Sequence, residues 1–226
     1  MTTPTVGTIT KGHPGTGDRL LRAALEAFAT AGFEGTSARQ IERMAGVERG
    51  LVGYHFGTKQ ELWNRAVDAL FEQYATELET LRIALRDVSK RERVSAMLMA
   101  YARFNARNPQ FYRILVIEGH VKSERSERLI RHLRRAMSVF SDLAELSGPI
   151  PVETAIRWLQ VIGAAGAVYS LSALTEPTFG ARMEDAAFVD RFAAALTRIA
   201  LEESAHTSAA QDPEEELVMF FGAAGE

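Results

Sequence analysis

The stretch from Thr36 to Leu62, TSARQIERMAGVERGLVGYHFGTKQEL, leaves this chain few choices of fold. Ser37 followed by Gln40 has capping-box spacing, so a helix starts there. Ile41, Met44 and Ala45 recur at helical spacing and are expected to face inward. Gly46 ends that helix by supplying the left-handed conformation of a tight turn. Val47 and Val52 are spaced as a hydrophobic staple across the next helix start, with Glu48 as its cap, and Thr58 with Glu61 repeats the capping spacing at a third. Three starts and one glycine turn in so short a window predict a helix-turn-helix, a shape whose second helix fits the DNA major groove.

The rest of the chain reads as helical. A first helix spans about residues 16–31, with Leu21, Leu25 and Phe28 as its inner stripe and Gly32 as its end. A long helix begins near Lys59, with Leu62, Ala66, Leu70, Tyr74, Leu78, Leu81 and Leu85 in line. Further helices fit residues 91–107, 111–118, 123–146, 152–174 and 184–204, with breaks at Asn108-Pro109 and Ser147-Gly148-Pro149. No strand alternation of useful length occurs. The expected organisation is all-α: a tail (1–15), a three-helix DNA-binding domain (16–62), a helical bundle for ligand binding and dimerisation (63–204), and a loose acidic tail (205–226).

Composition narrows the function. Net charge is −3, yet residues 1–60 hold seven Lys or Arg against five acids, so a mildly basic end sits on an acidic body. That asymmetry suits docking one end on phosphate. There is no cysteine, which excludes disulfides, thiolate catalysis and zinc–thiolate sites. The five histidines have no i, i+4 pairing, and neither a phosphate loop nor a nucleophile elbow is present, so no enzyme, metal or cofactor is expected. The first fifteen residues carry no secretory pattern, which makes the cytoplasm the expected location. Eighteen residues between Arg157 and Glu176 lack charge, near the lower limit for a membrane span. Their small and polar residues favour a helix buried within a bundle instead. Arg125, Arg128, Arg131 and Arg134 recur every three residues and read as a solvated helix face.

The span from Arg19 to Leu62 resembles the N-terminal DNA-binding domain of the TetR family of bacterial transcriptional regulators. The resemblance is carried by Ala23-Ala24, Phe28, Gly32-Phe33, Thr36-Ser37, Ile41, Ala45-Gly46-Val47, Gly50, Tyr54-His55-Phe56, Lys59 and Leu62. It implies a homodimer that binds a palindromic double-stranded DNA operator and answers to a small-molecule effector, most commonly as a repressor. Arg49, Tyr54, His55 and Lys59 are then expected on phosphate or guanine, with Thr36 and Ser37 at a helix N-terminus that also attracts phosphate.

The chain departs from the family pattern at three positions. Glu48 replaces a small hydroxyl residue and could accept from a cytosine amine. Leu51 replaces a polar residue and could meet a thymine methyl. Gly53 replaces an aromatic phosphate contact and, with Gly50, bares a stripe for close approach.

In the body, Met97, Tyr101, Phe104, Tyr112, Trp158 and Tyr169 are candidates for an apolar effector pocket with a few polar tips. The resemblance also implies a dimer interface built by the last two long helices, with Leu159, Gly163, Gly166 and Ala167 on one and Phe188, Phe192 and Leu196 on the other. Two rival classes stay open: a helical adaptor without sequence-specific DNA binding, and a helix-bundle enzyme that assembles distant carboxylates.

Overall fold

The computed structural model describes residues 15–143 and 152–202. The expected terminal tails and the Ser147-Gly148-Pro149 break lie outside these residues. Ten helices and no strand occur among them: α1 (Thr16–Ala31), α2 (Ala38–Ala45), α3 (Leu51–Phe56), α4 (Lys59–Ala84), α5 (Lys90–Arg107), α6 (Gln110–Gly119), α7 (Glu124–Leu143), α8 (Val152–Ser170), α9 (Ser172–Phe179) and α10 (Ala186–Glu202).

The first three helices pack as a unit whose core is Leu20, Ala24, Phe28, Ile41 and Val52. The caps read from sequence form at two of the three starts: Ser37 accepts from the Gln40 amide and Thr58 from the Glu61 amide. Met44 does not face inward. It is 45 % exposed, because Ile41 and Ala45 one turn apart define the inner face and Met44 falls on its flank.

Helix α4 has 26 residues, so it runs about 39 Å. The expected stripe of Leu62, Ala66, Leu70 and Leu78 is buried, and so are Trp63, Val67, Phe71 and Ala75 on a second face. Two faces are apolar because four helices, α1, α3, α5 and α7, pack against α4. Its first half therefore belongs to the same continuous core as Tyr101, Phe104, Phe111 and Leu196 of the body.

The uncharged stretch is not one straight helix to residue 174. It breaks at Leu171, and the axes of Trp158–Ser170 and Ser172–Phe179 meet at 79°. The break coincides with a contact from another helix: Arg113 Nε of α6 donates to the Ser170 carbonyl at 3.2 Å. The Leu174 amide turns to Leu171 instead, at 2.8 Å. Among the described residues, no single helix is long and apolar enough to cross a membrane.

The three-helix unit meets the body along α1 and α6, where Gln110 Nε2 donates to Glu26 Oε2 at 2.6 Å, and at the loop after α1. Phe33, just after α1, has its amide bonded to Glu118 Oε1 at 3.1 Å, and Glu118 Oε2 accepts from Arg125 Nε at 2.7 Å. The Arg125 guanidinium also stands 4.2 Å from the Phe33 ring centroid. A second tie links α4 to α7: Arg128 holds both Asp68 oxygens at 2.8 and 2.7 Å, and His132 Nε2 lies 2.8 Å from Asp68 Oδ1. Two of the four regularly spaced arginines are thus ion-paired against the protein rather than solvated, while Arg131 and Arg134 are exposed.

Burial raises the Asp68 carboxyl, but the hydrogen bonds and charges of Arg128 and His132 outweigh it and hold the group well below the usual carboxylate range. A carboxyl depressed on folding stabilises fully above its unfolded pKa of about 3.9, and that contribution fades as pH falls below it. The difference in thermal stability between wild type and Asp68→Asn is expected to be full at pH 5, to shrink as pH falls below about 4, and to persist in part at pH 3.

At the junction, removing Arg125 leaves the buried Glu118 carboxylate without its cation. Arg125→Ala is expected to lose about 3 kcal/mol in a denaturant titration. Adding Glu118→Gln to that variant should recover part of the loss, because the uncompensated charge is gone.

Candidate nucleic-acid interface and interior cavity

The second helix of the helix-turn-helix is short and is capped from an unexpected place. Glu42 of α2 is buried, and its Oε1 accepts from the amides of Gly50 (2.9 Å) and Val52 (3.0 Å) at the start of α3. Glu48 therefore does not cap this helix. Gly50 is its N-cap, at φ +89°, a conformation that side chains rarely adopt. The carboxylate satisfies donors that a helix start leaves orphaned and complements its positive end. A carboxylate eight residues before the amide it caps matches no local capping spacing, which is why sequence reading misses it.

Over the turn and α3, Glu48, Arg49, Gly50, Gly53, Tyr54 and His55 are exposed. Tyr54 is 83 % exposed, and its ring meets His55 edge-on at a centroid distance of 5.1 Å. A cation, a phenol and an imidazole thus share one surface with two glycines that let a phosphate backbone approach. Val52 is buried, and Val47, Leu51 and Phe56 pack against the core. Leu51 accordingly presents only part of its side chain outward.

Two expected contacts are committed inside the protein. Thr36 is 2 % exposed, and its hydroxyl donates to the Gly32 carbonyl at 2.8 Å, with that of Ala27 at 3.1 Å. Lys59 Nζ donates to the carbonyls of Phe33 (2.9 Å) and Thr36 (3.0 Å) and stands 4.0 Å from the Phe33 ring centroid. The loop after α1 carries carbonyls without helical partners, and the Lys59 ammonium gathers them. Both residues shape the surface rather than reach from it. Ser37 is exposed, with its hydroxyl oxygen on the Gln40 amide.

In the body, helices α4 to α8 enclose a cavity of about 50 Å³. Met97, Tyr101 and Trp158 line it, as expected. Tyr74, Leu78, Phe111 and Met137 line it too, contributed by helices whose stripes read simply as core. Phe104, Tyr112 and Tyr169 do not. Phe104 is fully buried against Tyr74 and Phe111. Tyr169 packs on Phe192, and burial pushes its phenol up to about 12. Tyr112 lies against Gly166, where an added Cβ would come within 2.1 Å of its ring.

The same packing redirects part of the expected dimer surface. Gly166 admits Tyr112, Leu196 is in the core, and Phe188 and Phe192 stack on one another beside Tyr169. These serve the protomer's own interior. Leu159 is 61 % exposed, with Val152 and Ile156 also open on α8. Gly163 and Ala167 are partly covered on the same helix.

Residues 20–66 match the family model described as bacterial regulatory proteins, tetR family. The HTH-type transcriptional repressor NicS of Pseudomonas putida is 29 % identical over 46 % of this chain and 48 % of its own. The chain thus spans about half the length of the first curated relatives it matches. The HTH-type transcriptional regulator TtgW of Pseudomonas putida is 31 % identical, over 53 % of this chain and 92 % of its own. A TetR-like transcriptional regulator from Rhodococcus sp. RHA1 superposes with a TM-score of 0.62 at 18 % identity, covering 85 % of this chain and 97 % of that one. At that identity the likeness is one of fold.

The Glu42 cap gives a direct test. Glu42→Ala strands the Gly50 and Val52 amides and is expected to cost about 1–3 kcal/mol of stability in denaturant unfolding. DNA affinity should fall with it while base preference is unchanged, since Glu42 is buried behind the interface.

Proposed function

The chain belongs to the TetR family of bacterial regulatory proteins, and from that premise we propose that it is a ligand-responsive transcriptional repressor. It binds a palindromic operator as a homodimer in the cytoplasm and leaves it when a small apolar or amphipathic effector enters the body. No catalytic role is assigned to it. The observation that carries this reading is the open surface of Arg49, Tyr54 and His55 on a buried, internally bonded scaffold. A surface built only for structure would not leave a tyrosine so open beside an arginine and a histidine.

Arg49 is the residue for bidentate guanine or phosphate contact, with Tyr54 and His55 donating to phosphate. Ser37 adds a hydroxyl at the start of α2, whose free amides favour phosphate. Glu48 and the exposed part of Leu51 bias base choice. One six-residue α3 reads too few base pairs alone, and a two-fold dimer doubles the site. The open Val152, Ile156 and Leu159 of α8 support that dimer, with Gly163 and Ala167 allowing close helix approach. Repression is supported by the name of the relative NicS.

The cavity and the DNA surface share their supports. Helices α6 and α7 wall the cavity, and the Glu118–Arg125 pair at their junction grips the loop that leads into α2. An effector that spreads α6 from α7 would therefore shift the reader through Phe33 as well as through α4, a differential contact of the kind allostery requires.

Selection of binding sites from a random DNA pool is expected to return a palindrome, with affinity falling steeply as salt rises. Arg49→Ala is expected to weaken binding about 10- to 100-fold and to relax one position of each half-site. No enrichment by folded protein, before and after unfolding, stripping and refolding, would overturn the reading.

A further inference from the structure

The interior cavity carries chemical information about its occupant beyond being apolar. Its lining has no charged residue; it is hydrocarbon and aromatic, from Leu78, Met97, Phe111, Met137 and Trp158 among others. One polar atom beside it is out of place. The Tyr101 hydroxyl is buried without a hydrogen-bond partner, on a residue that lines the cavity. Asn105, one turn on, is near enough to act on the phenol, but its Nδ2 is committed to the Tyr101 carbonyl at 2.9 Å, and neither its Oδ1 nor the Tyr101 hydroxyl reaches hydrogen-bond geometry. Buried hydroxyls are nearly always paired, so an orphan beside a cavity is an unfilled position. Water fills it poorly, since a buried water needs two to four polar partners and these walls are nearly all apolar.

Burial holds the Tyr101 phenol protonated far into the basic range. It therefore keeps a proton to donate at any working pH, and a ligand acceptor is what satisfies that proton. A charged ligand is excluded by the walls, because an ion without a counter-charge there would be desolvated for nothing.

The volume shows how the ligand is admitted. About 50 Å³ is below the size of ordinary ligand sites. Next to it, α6, α7 and α8 form an outer groove of about 650 Å³, whose α8 side includes Leu159 and Gly163 of the proposed dimer face, so the groove borders the dimer contact. Leu115, Leu133, Trp158 and Ile162 line both spaces, so the partition between them is one side chain thick. Met97 and Met137 on the inner walls are unbranched and repack readily.

We propose that the effector is a neutral, largely apolar molecule carrying a hydrogen-bond acceptor, which enters by displacing the Leu115–Leu133–Trp158–Ile162 partition and takes the Tyr101 hydroxyl as its recognition contact. This rests on the ligand-responsive reading above and adds the chemical class of the ligand and the residue that selects it.

Three probes of nearly one shape separate the possibilities: acetophenone (neutral, acceptor), α-methylstyrene (neutral, no acceptor) and benzoate (charged). Each is titrated by calorimetry and tryptophan fluorescence into the full chain and into Tyr101→Phe, with circular dichroism confirming that the variant is folded. Acetophenone is expected to bind wild type about 5- to 10-fold more tightly than α-methylstyrene, the worth of one hydrogen bond. In Tyr101→Phe that preference should vanish while α-methylstyrene binds as before, and benzoate should be weakest throughout.

Equal binding of the two neutral probes to wild type, a ketone preference that survives Tyr101→Phe, tightest binding of benzoate, or no binding of any probe would each overturn the proposal. The DNA selection is read separately. Its failure would sink the regulator reading whatever the probes do. Failure of the probes with an operator in hand would remove only the effector class.

Discussion

Phe33 concentrates more of the contacts between the reader and the body than its neighbours in the loop after α1 do. Its amide is bonded to Glu118, its carbonyl accepts from Lys59, and the cations of Lys59 and Arg125 both stand over its ring. Backbone, ring face and charge are used at one residue, so the loop after α1 has little freedom to move without α6 and α7. A cation over an aromatic face is worth most where water is excluded, and Glu118 and Arg125 are both largely withdrawn from it. The position of α2, and through Glu42 the start of α3, follows from this anchor. The exposed recognition surface is precise because the residues behind it are fully engaged.

That arrangement explains why residues with attractive chemistry sit away from the interface. Lys59 and Thr36 have the right side chains for phosphate, and in sequence nothing distinguishes them from Arg49. Their local surroundings decide the matter. The end of α1 and the following loop present carbonyls that need donors, and Lys59 and Thr36 are the nearest ones. Arg49 follows the turn, has no such neighbours, and stays exposed.

Much of the fold was legible in the chain because periodicity and capping are local. The starts at Ser37 and Thr58, the turn at Gly46 and the stripe of α4 follow from residues within a turn or two of one another. The candidate interface was legible in part, through Tyr54, His55 and Arg49. Glu42 was not, since its partners lie across the turn. The cavity was half legible: Met97, Tyr101 and Trp158 could be picked as apolar residues with polar tips, while Tyr74, Leu78 and Phe111 looked like any core positions. Phe104 and Tyr169 have the same composition and face neighbouring helices instead.

The sequence by itself determined an all-helical chain, a helix-turn-helix with its second helix turned outward, and a body too apolar to stand as separate helices. These rest on spacing, which neighbouring residues impose through backbone geometry. Only the tertiary structure decided which polar groups face inward, where the helix before Glu176 bends, and which phenols, those of Tyr101 and Tyr169, are left without a partner. The bend coincides with a guanidinium 57 residues away taking one carbonyl. The orphaned Tyr101 hydroxyl comes from helices that bring hydrocarbon to it. Both are contacts between distant segments, and no periodicity within one helix encodes them.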